Sequence, residues 1–232
     1  MKVISFVSQK GGAGKTTLVI NCAVAASSVG NRVLILDVDK QKSAEIWYQK
    51  REVQEPILVV AGPSSLANAI DKARNIGINT VFIDTPGHDS PGTADAIKVS
   101  DLCVIPCRPA SVDLNATKAT VNTIQRLGKP FTFIITQAKA RRKKLIGRGK
   151  IPNIRTVEAK TALQKRFGND AKLVASGQIT DLVTFPDAYD LGLGVTEYNP
   201  QSAAAEDVLD LWHWIEQLTD IVGHDQKEKN IA

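Results

Sequence analysis

The chain has 232 residues but only three cysteines and three histidines, and no long uninterrupted apolar run. Each scarcity closes off a class of chemistry. Cys22, Cys103 and Cys107 are too few, and too deeply set in apolar stretches, to frame a disulfide-built fold, which suits a reducing compartment. Cys103 and Cys107 share the strand-like run Asp-Leu-Cys-Val-Ile-Pro-Cys, which reads as core thiols rather than a metal pair. His88, His213 and His224 lie apart, so no Ser/His/Asp or Cys/His constellation is in evidence. Apolar runs are strand-sized and the first strand starts at the second residue, so neither a membrane span nor a signal peptide is expected. The expectation is a cytoplasmic protein whose 43% hydrophobic content can fill one α/β core, residues 1–222, followed by a flexible polar tail, 223–232.

Against that background stands Lys10-Gly-Gly-Ala-Gly-Lys-Thr-Thr17. A phosphate loop needs glycines so that backbone N–H groups can curl around phosphates, with the lysine on the outer phosphates and the hydroxyl on magnesium. The first glycine of the strict pattern is replaced by Gln9 here, but the flanks supply the required context. Lys2 to Ser8 is a β-branched apolar run, and Leu18, Cys22, Ala25 and Val29 fall on one helix face. Strand, glycine loop and helix in that order aim a positive helix N-terminus at an anion.

Further apolar runs at Arg32–Asp37, Ile57–Val60, Thr80–Asp84, Leu102–Pro106, Phe131–Thr136 and Lys172–Ala175 alternate with helical stretches. Continuous hydrophobicity marks strands covered on both faces, so the pattern predicts an α/β, doubly wound, mostly parallel sheet flanked by helices. Gly30-Asn31 should stop the first helix, Ser64 or Ser65 cap a later one, and a last helix run from about Gln201 to Val222. Ligands of such sheets sit outside the carboxyl ends of the strands. Asp37 and Asp39 end the second run and Asp84 the fourth, where a carboxylate can hold magnesium's waters. A turn or helix cap is the alternative for each.

The Lys-Gly-Gly-x-Gly-Lys-Thr-Thr loop, the Asp37-Val-Asp39 and Asp84-Thr-Pro-Gly87 segments, Ser100–Asp113 and Phe185–Pro200 resemble the ParA/MinD family of ATPases with a deviant Walker A loop. Lys40 stands where that family more often has proline. The resemblance implies ATP and Mg2+ as cofactors and slow ATP hydrolysis, stimulated by DNA and a partner protein. By position, Lys10 becomes the lysine that reaches the partner subunit's nucleotide, Lys15 the phosphate lysine in cis, and Asp39 the residue orienting the attacking water. Gly11, Gly12, Ala13, Gly14, Thr16 and Thr17 would hold the phosphates, and Thr16, Asp37 and Asp84 the metal shell. Gln137, Thr180 and Asp181 are the candidate contacts to the base.

Seven cations and no acid occupy residues 139–150: Lys139, Arg141, Arg142, Lys143, Lys144, Arg148 and Lys150. Because the whole chain carries only +5, the remainder is slightly acidic and this run is a local polyanion footprint. Arg155, Lys160, Lys165 and Arg166 could widen it; a solvated loop is the plain alternative. The resemblance then implies an ATP-bound homodimer that binds DNA without sequence preference, associates with the nucleoid and partitions a plasmid or chromosome with a ParB-type centromere-binding protein. With the loop starting at residue 10, no helix-turn-helix is expected ahead of it. Alternatives are a positioning factor for conjugation, T-DNA transfer or another cargo, and a MinD-like membrane-associated division regulator. For the last, residues 224–232 lack the basic, bulky amphipathic face required.

Overall fold

Strands with apolar residues on both faces are stable only between two helical layers, and this architecture is what the computed structural model shows for residues 1–87, 90–143, 150–168 and 170–229. Strands β1 (Lys2–Phe6), β2 (Val33–Asp37), β3 (Ile57–Val60), β4 (Thr80–Asp84), β5 (Leu102–Cys107) and β6 (Phe131–Ile135) form one sheet in the order β3-β2-β4-β1-β5-β6. Every neighbouring pair is parallel.

The helices are α1 (Lys15–Ser28), α2 (Ser43–Gln49), α3 (Leu66–Asn75), α4 (Pro91–Val99), α5 (Ser111–Arg126), α6 (Ile154–Phe167), α7 (Thr184–Asp190), α8 (Val195–Tyr198) and α9 (Ala203–Lys229). One face of the sheet packs Ile4, Phe6, Ile35 and Phe82 against Leu18 of α1, Trp47 of α2, and Trp212 and Ile215 of α9. On the other face, Val3, Leu36 and Ile83 meet Leu66, Ile70 and Ala96 of α3 and α4. Cys103, Ile105 and Phe133 meet Val121, Ile124 and Leu163 of α5 and α6. Burial pushes the Cys103 and Cys107 thiols up to about 12, the behaviour of core residues.

Four local expectations change. Lys172–Ala175 is not a seventh strand: it makes a single parallel bridge, Phe133 to Val174. The chain then turns as the carbonyls of Ala175, Ser176 and Gly177 converge on Lys160 Nζ at 2.8, 2.6 and 2.7 Å. Residues Pro63–Ser65 form a 3-10 turn, and the Ser65 hydroxyl donates to the Gly62 carbonyl rather than capping α3. Helix α9 starts after Ser202, whose hydroxyl accepts the Ala205 N–H, and continues through Gly223 to Lys229. An exposed mid-helix glycine costs only about 1 kcal/mol, too little to end a helix anchored upstream by buried Leu211, Trp212 and Ile215. Within the basic run, β7 (Arg142–Lys143) and β8 (Lys150–Ile151) pair antiparallel into a ribbon.

Candidate phosphate-binding site

The register puts the carboxyl ends of three strands side by side: Phe6 pairs with Asp84, and Asp84 pairs with Asp37. The chain leaving β1 turns back into α1 through Gly12 and Gly14, at φ +70° and +93°, a region that side-chain-bearing residues rarely adopt. Among the described residues no side chain caps α1, which leaves its first N–H groups open to an anion. Two loop carbonyls are tied off: Thr136 Oγ1 donates to Ala13 O at 3.0 Å and Gln137 Nε2 to Gly12 O at 2.8 Å. What faces the cleft is a nest of donors.

Gly11, Gly12, Gly14, Lys15, Thr16, Thr17, Asp39 and Gly87 line this cleft of about 300 Å³, together with Gln41 and Ser43. Lys15 is only 7% exposed. Burial draws its pKa down, while Asp84 and Asp39 act in the opposite direction. Asp84 is fully buried, and its carboxyl is pushed up to about 7, chiefly by desolvation. The Thr16 hydroxyl, donating to its Oδ2 at 2.6 Å, works against that shift, and Asp37 adds to it. Asp84 Oδ1 has no partner among the described residues. An orphaned buried carboxylate oxygen beside a threonine hydroxyl and an anion nest fits a hydrated divalent cation accompanying a phosphate.

Asp37, a candidate for the metal shell, accepts two backbone hydrogen bonds. Its Oδ1 accepts the Asp39 N–H at 3.0 Å and its Oδ2 the Glu45 N–H at 3.3 Å, so it braces the turn into α2. Its charge stands beside Asp84 and helps to raise that carboxyl. Asp39 reaches the cleft from that turn, its Oδ1 accepting the Gln41 N–H at 3.0 Å.

Lys10 points out of the cleft. Its Nζ lies 3.4 Å from Asp113 Oδ1, on a carboxylate that the Arg108 guanidinium also grips at 3.0 and 3.1 Å. Gln137 and Asp181 line a neighbouring cleft of about 430 Å³ with Arg108, Lys139 and Arg155. The two clefts meet at Gln137, through its bond to Gly12. Thr180 is buried; its N–H donates to Asp207 Oδ2 at 2.8 Å, leaving Asp181 and Gln137 as the accessible members of that set.

The basic run divides. Lys139 and Arg142 are exposed. Arg141 instead pairs with Asp207 and lies 4.0 Å from Asp210, and Lys150 pairs with Glu206. Lys144 and Arg148 lie outside the described residues, as does His88. Arg155 and Lys165 are exposed, whereas Lys160 and Arg166 are bound to backbone carbonyls. The residues that the sequence reading passed over are Asp113, Thr136 and Asp207, each acting on a group far away in the chain. Only Thr136, at the end of a β run, carried a local signal, its place beside Gln137.

A family model described as an AAA domain matches residues 1–76. Protein ParA of Rhizobium radiobacter is 34% identical over 115 residues, 49% of this chain and 51% of that protein. The maintenance of carboxysome distribution protein A of Gloeobacter kilaueensis is 33% identical over 123 residues, 52% and 56% of the two chains. The chain thus spans about half the length of these curated relatives. Among solved structures, the septum site-determining protein MinD of Pyrococcus horikoshii, complexed with Mg-ADP, superposes with a TM-score of 0.71 at 19% identity, covering 95% of this chain and 98% of that one. With its lysine-flanked glycine loop at the mouth of a six-stranded parallel sheet, the chain is similar in sequence to ParA-type proteins over about half its length and shares the fold of MinD.

Proposed function

We propose that the protein binds ATP with Mg2+, dimerises on it and hydrolyses it slowly, using the cycle to position a DNA cargo. The observation that carries this reading is the donor nest closed by Lys15 on one side and by Thr16 and the orphaned Asp84 carboxylate on the other. Transfer of a phosphoryl group to water needs positioning and charge neutralisation rather than covalent chemistry. In this reading Gly11, Gly12, Ala13, Gly14, Thr16 and Thr17 bind the phosphates and Lys15 balances their charge. Asp39 orients water, and Thr16 with Asp84 holds the metal's shell. Magnesium, when bound, supplies charge neutralisation at the outer phosphates. Gln137 and Asp181 border the base.

Lys10 is the second element. It stands outside its own cleft and is free to move, since a part-exposed pair such as Lys10–Asp113 is weakly held. A partner subunit's nucleotide, bringing several negative charges, can outbid one carboxylate that Arg108 already neutralises. ATP binding then becomes an assembly signal and hydrolysis a timer. Lys139, Arg142, Arg155 and Lys165 are exposed cations open to DNA phosphates, doubled by dimerisation, so binding should weaken steeply with salt. A ParB-type partner would supply site specificity and nucleoid association would follow from the DNA contact. The curated relatives, a ParA and a carboxysome-distribution protein, support the positioning class.

The test measures ATP-analogue binding, dimerisation and retention on random-sequence duplex DNA in parallel. Lys15→Ala should lose nucleotide binding, whereas Lys10→Ala should keep it and lose the dimer. Duplex retention that is equal with no nucleotide, ADP and the ATP analogue would overturn the DNA half of the proposal; a Lys10→Ala dimer would overturn the other.

A further inference from the structure

Asp207 sits at the second turn of α9, 2% exposed, and spends its two carboxylate oxygens on two different segments. Oδ1 pairs with the Arg141 guanidinium at the foot of the basic ribbon. Oδ2 accepts the Thr180 N–H at 2.8 Å. Those two segments run side by side only briefly. Ala138 and Thr180 bridge in parallel, Asp181 N donates to Ala138 O at 2.9 Å, and Gln178 Nε2 donates to Lys139 O at 3.1 Å. Past Lys139 no bond between the two segments themselves is seen among the described residues. From there, the connection from residues 178–181 to the ribbon runs through Asp207.

The same segments carry the border of the second cleft, Gln137 and Asp181. We propose that Asp207 is a positioning residue that links the order of the basic ribbon to nucleotide occupancy of the cleft beside Gln137 and Asp181. The proposal rests on the reading of that cleft as part of the nucleotide site. A nucleotide that settles residues 178–181 fixes the Thr180 amide, and Asp207 then holds Arg141, and with it β7, in one place. The link must act in both directions: a polyanion that orders the ribbon changes nucleotide affinity by the same factor.

The geometry also says which cation is not a phosphate ligand. Drawing Arg141 out to a phosphate would leave Asp207 buried without its cation, an arrangement that proteins disfavour strongly. Arg141 is therefore the ribbon's anchor, and phosphates fall to exposed Lys139 and Arg142. Lys150–Glu206 is the natural control. It holds the other strand of the ribbon to α9, but its partners are 37% and 47% exposed and neither bonds to residues 178–181.

The experiment is amide hydrogen exchange on the full chain, with and without Mg2+ and a non-hydrolysable ATP analogue, in the native protein, Asp207→Asn and Glu206→Gln. In the native protein and in Glu206→Gln, the analogue should slow exchange at the phosphate loop, at 178–181 and at the ribbon residues 141–143 and 150–151, the last by about threefold or more. In Asp207→Asn the first two responses should remain and the ribbon response vanish. A merely structural role would lower the melting temperature and leave the ribbon response in place. Should Asp207→Asn fail to fold, the double variant Asp207→Asn with Arg141→Gln removes both charges, leaves an amide oxygen to accept the Thr180 N–H, and provides the same contrast. Ribbon protection that persists in either variant, or that is missing in a native protein whose phosphate loop responds, overturns the proposal. A native protein in which the phosphate loop itself does not respond overturns the nucleotide reading instead.

Discussion

Asp84→Asn isolates the charge that the cleft holds in readiness for a cation. Its carboxyl is pushed up to about 7 from an ordinary value near 4, mainly because the fold buries it. In the unfolded chain it ionises near 4, so between these values the native state binds the extra proton and stability falls as pH rises. The penalty is absent below about pH 4 and complete above about pH 7. Roughly two of its three pH units accumulate between about pH 5 and about pH 8, a ceiling of about 3 kcal/mol. Relaxation and water entry should leave about half of that, which for a chain of this size is a melting-temperature difference of about 3–6 °C. The asparagine keeps the volume and can accept the Thr16 hydroxyl, so the metal-free variant should melt higher than the native protein at pH 8, by a margin that shrinks toward pH 5. Differential scanning fluorimetry without nucleotide or metal reads this directly. A margin that is constant across that range would refute the idea that burial holds the Asp84 carboxyl up. Binding of magnesium and nucleotide, which needs the ionised form, should release about one proton below pH 7, visible as buffer-dependent heat in calorimetry.

Gly87→Ala would place a Cβ 3.1 Å from Gly11 Cα and 3.5 Å from Lys15 Nζ. It should weaken ATP-analogue binding about tenfold while the melting temperature moves little, and unchanged affinity would mean that the loop after β4 does not abut the phosphate loop in solution. Asp113→Ala removes the carboxylate that holds Lys10, so the ATP-analogue dimer should assemble at a severalfold lower protein concentration in sedimentation; a weakened dimer would instead make Asp113 a support of the interface. Lys139→Ala with Arg142→Ala should reduce the slope of log affinity for duplex DNA against log salt by about 2 per protomer, or about 4 per dimer. An unchanged slope would move the phosphate contacts elsewhere.

Much of the molecule was legible because its signals are local. Six of the seven proposed strands appear within two residues at each end, since a continuous apolar run between helices has one stable place, the centre of a covered parallel sheet. The glycine loop was legible for the same reason: Gly12 and Gly14 need left-handed backbone, and the helix that follows supplies free N–H groups regardless of what lies farther off. Lys172–Ala175 failed because an edge position is decided by its neighbours. Three carbonyls drawn to Lys160 turned the chain before a ladder could form.

Charge was the less legible property, and the reason is sequence separation. The run from 139 to 150 contains seven cations and no acid, but the acids that answer it sit on α9, 56 residues from Lys150 and 66 from Arg141. Lys10 is in the same position, its partner Asp113 lying on a helix that covers the far side of the sheet's next strand. A cation's meaning depends on whether its partner is buried. Arg141 faces a carboxylate with almost no access to water, so the pair fixes structure. Lys150 faces Glu206 in solvent, so that pair can open at little cost. Among the described residues, the footprint that the sequence presents as equivalent charges thus divides into paired cations, Arg141 and Lys150, and exposed ones, Lys139 and Arg142. The Arg141 anchor makes the ribbon a surface whose order another part of the molecule can control.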